Sequence, residues 1–125
     1  MERWEAAKAL AEIADPSSAA ALVRSLEDDD GDVRWIAAEG LIALGRDALV
    51  PLLEALITRT GSLWILTGAH HILIELRKQK GLREVEPVLE ALAGPAREVA
   101  APVAAWHELQ CELYADAARL EQASV

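Results

Sequence analysis

The chain has 125 residues, 53% of them hydrophobic, yet aromatics make up only 4% and phenylalanine is absent; Ala and Leu supply the apolar atoms, which favours one all-α domain and argues against a sheet. A net charge of −9, with residues 27–32 acidic except at Gly31, is the opposite of the basic footprint that nucleic acids and anionic membranes require, so neither is expected as a partner. One cysteine, Cys111, excludes an intrachain disulfide, and the charged start lacks the apolar core of a signal peptide, so the expected setting is cytoplasmic.

Apolar residues recurring at steps of three and four predict seven helices, at about 2–14, 17–28, 32–45, 47–59, 63–79, 83–93 and 96–121. Asp15-Pro16-Ser17 opens the second helix, with proline pre-set for a first turn. Asp30-Gly31-Asp32 offers cap oxygens to the third. Gly45 and Gly61 stand where the third and fourth helices should stop, as left-handed caps. Pro51 and Pro87 fall in first turns, where a missing N–H costs little. Residues 77–81, Arg-Lys-Gln-Lys-Gly, read as a basic connection after the fifth helix. In the last helix Val99, Val103, Trp106, Leu113, Ala117 and Leu120 form an apolar stripe, and that helix is expected to cap the preceding repeat. Pro102 predicts a kink or a restart within it.

Internal repetition is the strongest signal. Arg3-Trp4-Glu5-Ala6-Ala7 and Arg34-Trp35-Ile36-Ala37-Ala38 lie 31 residues apart, and Ala6, Ala37 and Ala69 fall in register. So do Leu10, Leu41 and Leu73. A second set pairs Pro51-Leu52-Leu53-Glu54-Ala55-Leu56 with Pro87-Val88-Leu89-Glu90-Ala91-Leu92, 36 residues on. Residues 20–26 are a weaker first copy. Each unit is therefore an A helix followed by a B helix.

The run Asp32-Val33-Arg34, Ala37-Ala38, Leu41, Leu44-Gly45, followed by Pro51, Leu53 and Ala55-Leu56, resembles the HEAT-like repeats of the phycobilisome-lyase type, over roughly residues 2–94. The resemblance implies a right-handed α-solenoid of about three and a half hairpins, with repeats at approximately 2–29, 30–60 and 61–94 and a capping helix at 95–122. It also implies that B helices line a concave, partner-binding face. Deoxyhypusine hydroxylase is similar in repeat pattern, but the positions of its iron-binding His-Glu pairs are here Trp4-Glu5 and Trp35-Ile36, so its chemistry does not carry over.

The expected function is non-catalytic protein binding, with no cofactor. No Gly-x-Ser-x-Gly and no P-loop is present. On the B helices Arg24, Glu27, Glu54, Glu86 and Glu90 lie opposite the apolar stripes, an acidic balance that favours a basic peptide or surface. On the A helices Trp4 and Trp35 point away from the stripe, marking a second surface, for a partner or for homo-oligomers. His70, His71 and Glu75 are the candidates for a metal-dependent alternative, with His71 and Glu75 one turn apart. His107 and Cys111 are spaced like a zinc-protease pair with one His replaced. Asp28, Asp30 and Asp32 have calcium-loop spacing, but Leu26 and Ala37 occupy the outer ligand positions. The preferred reading there is a solvated turn.

Overall fold

The computed structural model describes residues 3–13, 15–59 and 61–123, and among these it is entirely helices and turns. Seven α-helices follow one another: α1 (Arg3–Ile13), α2 (Ala19–Ser25), α3 (Gly31–Leu44), α4 (Leu49–Thr58), α5 (Leu63–Lys80), α6 (Glu86–Ala93) and α7 (Arg97–Ala123). Short 3₁₀ turns lead into α2, α4 and α6. The predicted helices correspond one to one, with ends shifted by a few residues.

The caps explain most ends. Asp15 Oδ1 accepts from the Ser17 N–H at 2.9 Å, and Asp30 Oδ1 accepts from the Asp32 N–H at 2.9 Å. Ser62 Oγ does the same for the Ile65 N–H, at 3.2 Å, and so starts α5. α2 ends at Ser25, earlier than predicted, because Asp28 accepts from the Asp30 N–H and folds the acidic segment into a turn.

Two glycines differ from expectation. Gly61 is not a left-handed cap, since α4 ends at Thr58 with Arg59 as its cap residue. The left-handed cap is Gly81, at φ 67 and ψ 26. Residues 77–80 are accordingly the last turn of α5 and not a connection; their positive charge complements the carbonyl end of the helix. Gly45 closes α3 at φ 67 and ψ −131, a region open to glycine alone.

The A helices stack in chain order: α1 on α3, and α3 on α5. Small residues at the joint, Ala7, Ala37, Ala38 and Ala69, are all buried and let the backbones approach closely. α2 stacks on α4 in the B layer. The layer then changes. α4 makes its most extensive contact with α7, which also packs on α6. The last helix therefore lies between α4 and α6, and α6 is not the main neighbour of α4.

The face by which α7 docks is also not the predicted one. Ala101, Ala105, Leu109 and Glu112 are buried. Val99, Val103, Trp106, Leu113 and Leu120 are exposed, at 71, 57, 50, 46 and 72%. α7 has two apolar faces, and the alanine face allows the closer approach to α4 and the denser packing. α7 runs through Pro102 without a restart. The hydrogen bond that Pro102 forgoes would reach exposed Glu98, where water can replace it.

Replacing Gly45 with Ala forces a side chain into a strained backbone region, even though the space beside it is ordinary. The Gly45→Ala substitution should cost about 1–3 kcal/mol, read as a lower urea midpoint with an unchanged m-value.

Candidate functional site

The outer surface of the A helices carries a groove of about 430 Å³ between α1 and α3. Trp4 and Lys8 supply one wall; Trp35, Ile36, Glu39, Gly40 and Ala43 supply the rest. The cause is local. In α3 the buried stripe Val33, Ala37, Gly40 and Leu41 turns inward, which leaves Trp35 on the opposite side at 64% exposure. Trp4, at the same place one unit earlier, is 41% exposed. Both rings also line a smaller recess beside Asp32.

A third tryptophan lies at the joint of α3 and α5, and the repeat alignment does not single it out. Trp64 of α5 is 46% exposed, and the Arg34 guanidinium lies over its ring at 3.7 Å from the centroid. Arg34 also donates to the Asp28 carbonyl at 2.6 Å. Arg3 pairs with Asp28 at 3.4 Å and with Asp29 at 3.0 Å. The acidic turn is thus tied to α1 and α3 by arginines and joins two repeats. Hydrogen bonding from the Asp30 backbone holds the Asp28 carboxyl below its ordinary value.

The B-helix candidates divide into two groups. Arg24 and Glu54 line a shallow recess of about 130 Å³ between α2 and α4. Glu27 is paired with Arg59 at 2.5 Å, and Glu86 with Arg77 at 2.8 Å. Glu86 and Glu90 lie on α6, which α7 separates from α4. The five residues therefore do not form one acidic strip, because two carboxylates already hold arginines and the layer is interrupted.

The metal candidates are not brought together. His71 faces Glu39 on α3 at 3.8 Å, while Glu75 accepts from Gln79 at 2.9 Å. His70 is half-buried, about 100° away from His71 around the helix. His107 packs edge-on against Trp106, with ring centroids 5.3 Å apart. Among the described residues no group of three His, Cys, Asp or Glu side chains is placed to hold a metal ion.

Sequence spacing gave no sign of a polar cluster that locks α7 in place. Arg46, just past Gly45, donates to both oxygens of buried Glu112 at 2.9 and 3.2 Å, and also pairs with Glu84. Burial pulls the Arg46 guanidinium down, but these two carboxylates outweigh it and hold the pKa above its ordinary value. Glu108, one turn before Glu112, gains only a partial offset from the Arg46 charge. Burial first, then the charges of Glu112 and Glu84, push its pKa up to about 7.

A helices stacked in chain order, each followed by a B helix, define an α-helical repeat protein of the solenoid class. Residues 1–69 match the family of HEAT repeats, and the chain belongs to it. No curated protein and no solved structure matches the chain significantly. Among the described residues no helix is long and apolar enough to cross a membrane.

The raised value of Glu108 fixes a sign. The folded chain favours its protonated form, so its contribution to stability is complete below the unfolded value near 4.5 and is lost as the pH rises through about 7. Glu108→Gln should melt close to the parent at about pH 4 and clearly above it at about pH 8. Thermal melts at the two pH values check this.

Proposed function

We propose that this chain is a non-catalytic protein-binding module that engages its partner through the groove between α1 and α3. The carrying observation is the pair Trp4 and Trp35, both largely open to water, on the two walls of one apolar groove. Large aromatics placed this way are the residues that dominate binding energy at interfaces. Lys8 and Glu39 at the rim balance each other, so the groove itself selects an apolar anchor. The net charge of −9 adds a long-range preference for a basic partner. HEAT repeats commonly serve as interaction scaffolds, and membership of that family supports the reading. The single cysteine fits a reducing, cytoplasmic setting. The recess at Arg24 and Glu54 is less well suited, being small and lined by Arg59, which is already engaged with Glu27.

The test is capture of partners from the native cell, quantified by mass spectrometry, with three baits of equal helix content. Trp4→Ala combined with Trp35→Ala should reduce recovery of the principal partner by about tenfold or more, the effect of losing interface hot spots. Glu54→Lys combined with Glu90→Lys should retain it. The reverse pattern moves the site to the B helices and overturns the groove assignment.

A further inference from the structure

The open face of α7 carries a pattern of its own. Val99, Val103, Trp106, Gln110, Leu113, Ala117 and Leu120 are separated by steps of four and three in strict alternation. This is a heptad seam over three turns of the repeat, and none of its seven residues is charged. The solenoid occupies the other side of the helix, at Ala101, Ala105, Leu109 and Glu112, so the seam points outward. Beyond Glu112 no described residue of α7 is buried. Residues 113–123 thus form an end of α7 that is less buried than its docked portion.

The surface along the seam is hollow as well as apolar. A trough of about 650 Å³ runs between α6 and α7, lined by Pro87, Val99, Val103, His107 and Cys111 among others. A second, of about 630 Å³, continues from Cys111 past Gln110 to Leu113 and Tyr114. Together they run along one flank of the seam and share Val99, Val103, Gln110 and Leu113 with it.

We propose that this seam takes the α7 helix of a second copy, forming an antiparallel two-stranded coiled coil that makes the protein a homodimer. Four arguments select this occupant. A seam with a period of 3.5 is matched by a helix of the same period, and α7 is one. Antiparallel pairing about a twofold axis between Cys111 and Glu112 sets Trp106 opposite Ala117 of the second copy, large against small, and Val103 opposite Leu120. It brings the two Gln110 amides into adjacent central layers, where they can hydrogen-bond and fix the register. It also lays the less buried end of each α7 over the docked portion of the other copy's α7, whereas parallel pairing would set the two exposed ends against each other. The area is sufficient: six large side chains exposed by about half or more, Tyr114 included, offer on the order of 100 Å² each, so two faces approach the roughly 1,200 Å² at which stable interfaces begin.

The proposal is independent of the groove between α1 and α3. An uncharged seam joining two chains of net charge −9 predicts association that strengthens as salt screens the repulsion. Sedimentation velocity and light scattering on the full chain, from about 1 μM to 1 mM, should show the mass rising from 13.5 kDa to twice that value. Leu113→Glu and Val103→Glu, both at sites exposed in the single chain, should each weaken association by about tenfold or more while leaving the circular dichroism of dilute protein unchanged. Trp35→Glu should leave association intact. A monomer throughout the range overturns the proposal. So does a dimer that survives Leu113→Glu, or one lost on changing Trp35.

Discussion

α4 is only ten residues long, and Leu49, Leu52, Leu53 and Leu56 on it lose all contact with water. Spaced at i, i+3, i+4 and i+7, they form one apolar stripe along the helix, and more than one neighbour closes over it. α2, α5 and α7 each pack against it. At roughly 1.5–3 kcal/mol for each fully buried leucine, this enclosure is a large part of what holds the chain together. It also sets the position of everything else. α2 and α5 bring the first and third hairpins into the stack, and α7 must present a face flat enough to reach the helix surface. Ala101 and Ala105 provide that face, and Arg46 holds it there through Glu112, a long-range pair that fixes how far α7 can slide.

Much of this was legible in the residues. The Ala-x-x-x-Leu stripes recurring 31 residues apart gave the A helices, because a buried face imposes the same period wherever it occurs. The outward direction of Trp35 followed from the same geometry. Asp30 was readable as a cap because a cap is a local hydrogen bond. What the residues did not reveal was every choice settled by distant partners. α7 has two apolar faces, and only the presence of α4 decides between the alanines and the larger side chains. Glu86 looked free until α5 placed Arg77 beside it. The Arg46 cluster joins residues from three separate parts of the chain and has no spacing signature. Gly61 was read as the stop of the fourth helix, which ends instead at Thr58 with Arg59 as its cap, and the left-handed cap of α5 is Gly81.

The two surfaces left open differ in kind. The groove between α1 and α3 is a local hollow framed by two tryptophans with one cation and one anion at its rim. The outer face of α7 is long, uncharged and periodic. A groove with an aromatic anchor suits a short segment of another protein, whereas a heptad seam suits a helix of matching period. Since α7 and the tryptophan groove lie on different layers of the stack, occupancy of one does not require the other. The acidic turn between α2 and α3 contributes to neither surface, because its carboxylates are spent on Arg3 and on capping α3.

The account stands on the orientation of α7 against α4, and one comparison tests it directly. Ala105→Glu puts a charge into the docked face, while Val99→Glu puts the same charge on the open face of the same helix. Urea unfolding of dilute protein should show the first losing several kcal/mol, or failing to fold, and the second staying within about 0.5 kcal/mol of the parent. Equal losses, or a larger loss at Val99, would mean that α7 docks by its other face, and the arrangement described here would be wrong.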